Sequence, residues 1–261
     1  MPDTRFVQVG DKKIQLTVGG QGPPLLYLHS AGGETDWFPF VERLAERHTV
    51  YVPAHPGFAL STGLESIRDI YDYAWHYEDL LATLGLDRVP IVGLSLGAWL
   101  ACELAILRPK RVERLVLVNA AGLRVPGAPM AELFVDDLAK LRQLLFFDQS
   151  SPGIELLMPS GLDDPRILMW LRAREATARV GWNPYLHNPR LPQHLHRIDC
   201  PALVLWGRHD RLIPLAHGEF YAAHLPHARL EIIEECGHMP PFEKPVEFAA
   251  AVHRFLAEQN H

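Results

Sequence analysis

Cysteine is scarce in this chain: Cys102, Cys200 and Cys236 are the only ones in 261 residues. An odd, sparse set builds no disulfide framework. Cys102 lies in an apolar helical run and Cys200 just before a strand, so both read as small buried hydrophobes. Cys236 stands shortly before His238 and is a conceivable nucleophile, but a better one exists. Long hydrophobic runs are missing too. No stretch is long enough to span a bilayer, and residues 1–17 alternate polar and apolar without the apolar core of a signal peptide. A cytoplasmic protein with no membrane partner is therefore expected. Excess positive charge is absent: the formal net charge is −6. That gives no electrostatic grip on nucleic acid. The basic cluster from Arg108 to Arg114 is interrupted by Pro109 and Glu113 and reads as a helix end and loop. No internal repeat, low-complexity tract or dinucleotide-binding fingerprint occurs, so no cofactor is implied. His194 and His196 are near neighbours, but no carboxylate or cysteine completes a metal set with them.

What is present is a globular composition. Apolar residues make up 48% and charged residues 21%, enough to bury a sizeable core. Phe6–Val9 and Lys12–Val18, joined at Gly10-Asp11, predict a β-hairpin. Leu25–His29, Thr49–Pro53, Val89–Val92, Leu115–Val118, Ala202–Trp206 and Leu230–Ile233 read as short strands. Helical spacing marks Trp37–His48, Ile67–Leu84, Leu96–Leu107, Gly218–His224 and Val246–Ala257. Alternation of short apolar strands with helices implies a parallel sheet covered on both faces, with the hairpin at one edge. Residues 123–198 break the alternation. Helical patches at Ala131–Leu145 and Ile167–Ala178 are separated by prolines, and the segment is too long for a plain crossover. A mostly helical cap is expected there, inserted over the strand ends, with 1–122 and 199–261 forming the core.

Gly93-Leu94-Ser95-Leu96-Gly97 has the pattern G-x-S-x-G between a predicted strand and a predicted helix. A tight strand-to-helix turn of this kind exposes the serine hydroxyl and needs small flanking residues where the chain packs closely. The five-residue pattern is weak alone, and its setting strengthens it. A serine hydroxyl is a poor nucleophile until a base takes its proton, and that base must itself be oriented. The chain holds 14 histidines, so position has to select one. His238 follows the strand Leu230–Ile233, and Asp210 follows Ala202–Trp206. Strand ends of an open parallel sheet converge on one edge, so Ser95, Asp210 and His238 are expected to meet there. His209 adjoins Asp210 and reads as a loop residue.

With these residues the chain resembles the α/β-hydrolase-fold esterases from about Phe6 to Leu256. The resemblance is strong in the two core halves and weak in the cap. It implies an α/β class with a mostly parallel central sheet and an inserted helical cap. It maps Ser95 as nucleophile, His238 as general base and acid, and Asp210 as its orienting partner. The oxyanion donors it implies are the backbone N–H of Leu96 and that of Ala31. Relatives usually carry His-Gly-x in the latter loop, where this chain has His29-Ser30-Ala31, so Ser30 departs from the pattern. His29 is more often structural in such proteins. His55-Pro56-Gly57-Phe58-Ala59-Leu60-Ser61 resembles the family's P-G-x-G-x-S loop, with Ala59 in place of a glycine and His55 a candidate for substrate contact.

A serine at the elbow sets aside the haloalkane dehalogenases and epoxide hydrolases of this fold, which use aspartate there. Acyl transfer follows, and hydrolysis of a neutral, fairly apolar ester or lactone is the expected reaction, with a small-molecule ester as partner. The alternative within the fold is a carbon–carbon hydrolase of aromatic meta-cleavage products. Those enzymes commonly place tryptophan after the catalytic histidine and a G-P-G oxyanion loop, where this chain has Met239 and Ser30-Ala31-Gly32-Gly33-Glu34. A non-catalytic ligand receptor on the same scaffold is a further alternative. Ser30, Trp37, Trp99 and Met239 are candidate pocket residues. In the cap, Phe134, Phe146, Phe147, Met158, Trp170 and Trp182 are expected mostly to pack, with a minority touching substrate. Monomer and homo-oligomer are not distinguished.

Overall fold

The apolar runs of the sequence become the middle of a single sheet. A computed structural model describes residues 1–135 and 137–258. Its strands are β1 (Asp3–Val9), β2 (Lys12–Gly19), β3 (Pro24–Leu28), β4 (Thr49–Pro53), β5 (Val89–Leu94), β6 (Val112–Val118), β7 (Ala202–Gly207) and β8 (Ala228–Ile233). They are ordered β1-β2-β4-β3-β5-β6-β7-β8. From β4 to β8 every pairing is parallel, while β1 with β2 and β2 with β4 are antiparallel. Every residue of β5 and β7 is buried. Covered on both faces, they need no polar alternation, which is why their sequences are continuous apolar runs. β8 lies at the edge and carries Arg229 and Glu231, whose side chains pair with each other at 3.0 Å. Charge on an edge strand discourages pairing with another chain.

The helices are α1 (Pro39–Ala45), α2 (Ile70–Thr83), α3 (Leu96–Leu107), α4 (Leu138–Leu145), α5 (Gly153–Leu157), α6 (Ile167–Gly181), α7 (Leu191–His194), α8 (Leu215–His224), α9 (Pro240–Glu243) and α10 (Pro245–Leu256). Among the described residues none is long and apolar enough to cross a membrane. Several start where local chemistry, not hydrophobic spacing, dictates. The helix expected from Ile67 begins at Ile70, because the Asp69 carboxylate accepts the N–H groups of Tyr71 and Asp72 and caps it. The stretch expected helical from Trp37 begins at Pro39, whose fixed φ and missing N–H suit a first turn. Of the patch Ala131–Leu145 only Leu138–Leu145 is helical, again behind a capping aspartate, Asp137. The hairpin strand β1 reaches back to Asp3, which pairs with Val18.

After β6 the chain leaves the sheet for the segment that holds α4 to α7, and it returns at β7 directly beside β6. The return leg is tied down before the sheet resumes. The Asn188 N–H donates to the Gly122 carbonyl at 3.0 Å. Its side-chain amide donates to Glu103 Oε1 on α3 at 2.7 Å, and the Trp99 indole N–H donates to the same oxygen at 2.9 Å. Glu103 is thus a buried carboxyl serving two buried donors. Burial pushes its pKa above the ordinary glutamate value, against the opposing pull of those donors.

A raised pKa means that the folded chain holds this proton more tightly than the unfolded one. Its contribution to stability falls as pH rises from the unfolded value, about 4.3, through the raised value. Glutamine at this position accepts both donors without ionising. Urea denaturation of Glu103→Gln should therefore show stability relative to wild type increasing as the pH is raised from about 4. A difference that does not vary with pH would contradict this account.

Candidate active site

The turn between β5 and α3 is forced by contacts in which no side chain fits. A Cβ on Gly93 would lie 2.5 Å from the Gly97 carbonyl oxygen, and one on Gly97 would lie 2.1 Å from that of Leu28. The first turn of α3 therefore rests on the backbone at the end of β3. Ser95, at the corner, has φ +53°, a conformation that costs energy for any residue with a Cβ. The backbone around it holds the corner in place. The Ser95 N–H donates to the Val118 carbonyl at 2.9 Å, and its carbonyl accepts from Ala121 at 3.2 Å. Ser95 is 5% exposed.

Asp210 follows β7 and His238 follows β8. The His238 Nδ1–H donates to Asp210 Oδ2 at 2.7 Å, and both side chains are essentially fully buried. The other carboxylate oxygen, Oδ1, accepts the N–H groups of Leu212 and Ile213, each at 2.8 Å. A further donor comes from a residue that the sequence reading missed. Asn119, just past β6, gives its side-chain N–H to Asp210 Oδ2 at 2.6 Å. Its oxygen accepts the Gly207 N–H at 3.2 Å. A polar residue directly after an apolar strand, as with Ser95 after β5, was the available signal. With Nδ1 committed to Asp210, His238 Nε2 is buried and has no hydrogen-bond partner among the described residues. It borders the same cavity as Ser95.

The His238 loop is itself clamped. The His238 N–H donates to the Leu145 carbonyl at 2.8 Å. Glu243 takes the Gly237 N–H on one oxygen, at 2.8 Å, and the Phe147 N–H on the other, at 2.7 Å. Cys236 beside it is buried, and burial together with Glu243 pushes its thiol far up. Such a thiol stays protonated and is no nucleophile. His209 is exposed and stacks on Phe147 with ring centroids 4.5 Å apart.

The loop after β3 supplies the second candidate oxyanion donor. Among the described residues, the N–H groups of Leu96 and Ala31 donate to no protein acceptor. Ser30, the departure from the family pattern, is built into the loop. Its N–H donates to Glu34 Oε2 at 2.8 Å and its hydroxyl to Glu34 Oε1, while its Oγ accepts the Gly32 N–H at 3.0 Å. Behind the loop, His29 donates from Nδ1 to the Ser30 carbonyl and accepts the His55 N–H at Nε2. Burial lowers the His29 pKa to about 4, so the ring is neutral and structural. His55 does not face substrate. Its Nε2 meets the His29 carbonyl at 3.0 Å and its Nδ1 meets the Tyr77 hydroxyl. Ala59 adopts φ +45°, which accounts for the glycine that relatives carry there.

These pieces line a cavity that is partly open to solvent. Ser30, Ala31, Ser95, His238 and Met239 line it from the core. The inserted segment contributes Phe134, Met158 and Trp170 among others, whereas Phe146 is core, Phe147 stacks on His209 and Trp182 is 64% exposed. The two tryptophans expected to line the pocket lie elsewhere. Trp37 packs over Gly19 and donates to Glu42, because its ring turns toward the end of β2. Trp99 points into the core beneath Gly122, drawn by its bond to Glu103. Glu34 and Arg174 are the charged side chains of the lining. Among the described residues, no cluster of three or more His, Cys, Asp or Glu is placed to hold a metal ion.

Comparison with known proteins follows the same lines. The chain is 29% identical to a 2-hydroxy-6-oxo-6-phenylhexa-2,4-dienoate hydrolase from Burkholderia cepacia, over 97% of this chain and 96% of that protein. It is 29% identical to a pimeloyl-[acyl-carrier protein] methyl ester esterase from Nitrosomonas europaea, over 91% and 97% of the two chains. Among solved structures, a bacterial membrane phospholipase A superposes with a TM-score of 0.81 at 27% identity, covering 98% of this chain and 86% of that one. A family model described as alpha/beta hydrolase fold matches residues 23–245. That match runs from β3 through the elbow and the inserted segment past His238, and the chain belongs to the alpha/beta hydrolase fold family.

Proposed function

We propose that this protein is a serine hydrolase that cleaves a neutral, fairly apolar carboxylic ester or lactone through an acyl-enzyme on Ser95. The observation that carries the reading is the state of His238. One ring nitrogen is committed to a carboxylate held by three further donors, and the other is buried, unpartnered and beside the cavity that holds Ser95. In this reading Nε2 takes the Ser95 proton as Oγ attacks the substrate carbonyl. The Leu96 and Ala31 N–H groups receive the developing oxyanion. Collapse expels the alcohol, which takes the proton from His238. A water molecule, deprotonated by the same nitrogen, then releases the acid. Asp210 stabilises the imidazolium at each stage, and no step calls on a cofactor. The helical segment between β6 and β7 acts as a cap whose Leu141, Leu145, Leu157 and Met158 make the acyl site apolar.

The second reading is hydrolysis of a carbon–carbon bond in a dienoate. The relatives support it as much as the first, since one is named for a dienoate and another for a methyl ester. Met239 and the Ser30–Glu34 loop speak for the ester. A panel of p-nitrophenyl esters, lactones and a ring-cleavage dienoate decides between them, and preference for the dienoate would reverse the order. A fluorophosphonate probe that fails to label Ser95 would instead favour a receptor.

Ser95→Ala should lower ester turnover by about 10⁴-fold or more, and His238→Ala by several orders of magnitude. Turnover that survives Ser95→Ala unchanged would end the proposal. Asn119→Leu removes one donor from Asp210 and leaves the cavity lining intact, so kcat should fall roughly tenfold or more with KM little altered. An unchanged kcat would show that Asp210 needs no support from β6.

A further inference from the structure

Glu34 is 2% exposed, yet it lines the catalytic cavity. The acyl-enzyme mechanism gives it no task. A carboxylate in such a place is costly unless its oxygens are served. Both are. Ser30 gives its N–H to Oε2 and its hydroxyl to Oε1. Donors on both oxygens suit an anion, which accepts only, better than an acid, which must also donate. The glycine at 32 belongs to the same arrangement, since a Cβ there would lie 2.5 Å from Glu34 Oε1. Ser30, Gly32 and Glu34 thus form one seat for a negative charge at the cavity wall. Burial holds the Glu34 pKa above the ordinary glutamate value, although the Ser30 donors and the facing His238 pull it back toward that value.

The cation of the cavity lining, Arg174, is held by other groups. Arg174 donates to the carbonyls of Leu133 at 3.2 Å and Val135 at 2.9 Å. Its guanidinium also lies 4.5 Å from the centroid of the Trp170 ring. It is already engaged with the insert.

We propose that Glu34 sets the charge specificity of this site: seated by Ser30, it admits neutral substrates and turns away those that place a carboxylate in the cavity. This deepens the ester reading and rests on it for turnover, but charge selection is a property of binding too. Two like charges in a confined, poorly solvated space repel strongly, so specificity comes from a built-in repulsive element. The same carboxylate is a positioning group. By holding Ser30 on both its N–H and its hydroxyl it fixes the loop that presents the Ala31 N–H.

The test compares p-nitrophenyl butyrate with the mono-p-nitrophenyl ester of succinic acid on wild type, Glu34→Gln and Glu34→Asp. Wild type should favour the neutral ester in kcat/KM by about 100-fold or more, and Glu34→Gln should shrink that ratio at least about tenfold. Glu34→Asp, which keeps the charge, should retain most of it. A purely structural role would lower both esters together and leave the ratio alone; an unchanged ratio in folded Glu34→Gln overturns the proposal. Should that variant not fold, calorimetry on wild type with butyramide and butyrate reads the same selection. Butyramide should bind at least about tenfold more tightly, and equal or tighter binding of butyrate overturns the proposal. Preference for butyramide in a protein that turns over neither ester would sink the acyl-enzyme reading while charge selection stands.

Discussion

Everything in the site depends on a backbone contact. The first turn of α3 lies so close to the end of β3 that Gly97 leaves no room for a methyl group against the Leu28 carbonyl. That contact brings the N-terminus of a helix and the loop after β3 to the same point. The candidate nucleophile and both candidate oxyanion donors are consequences of it. Ser95 occupies the corner at positive φ, Leu96 opens the helix, and Ala31 sits where β3 ends. The strain at Ser95 is carried by bonds to β6 and to Ala121, which belong to the scaffold and not to the chemistry.

The carboxyl groups around the site follow a common rule: each takes at least one donor from the backbone. Asp210 takes two N–H groups on one oxygen, and Glu243 and Glu34 each accept from both sides. This allows a cavity lined mostly by apolar side chains to hold ionisable groups without collapse. It also separates their roles. Asp210 faces a histidine, Glu243 braces a loop, and Glu34 looks into the cavity.

Much of this was legible in the sequence, for definable reasons. Parallel strands buried on both faces are continuous apolar runs, so β3 to β7 stood out, and the loops after β5, β7 and the edge strand β8 named Ser95, Asp210 and His238 as candidates that the fold brings to one edge. Helix starts were misplaced where a capping aspartate or a proline overrode hydrophobic spacing, as at Asp69 and Pro39. Side-chain direction was beyond reach. Trp37 and Trp99 flank the site in sequence yet turn to Glu42 and Glu103, because a nearby acceptor decides where an indole points. Asn119 and Glu34 lie outside any motif, since their meaning depends on partners far along the chain or on a loop conformation. Ser30 looked like a defect when set against the family's glycine. It became intelligible only with Glu34 beside it.

The clamp around His238 bears on modularity. Leu145 and Phe147, at the end of α4, hold the histidine loop directly and through Glu243. The segment between β6 and β7 is therefore not an interchangeable cassette. A designer who grafts a different insert onto this core, to accept a larger acyl group for instance, inherits an obligation. The new segment must still deliver a carbonyl and an N–H at the places where Leu145 and Phe147 now offer them, or the histidine loses its anchor along with the old pocket.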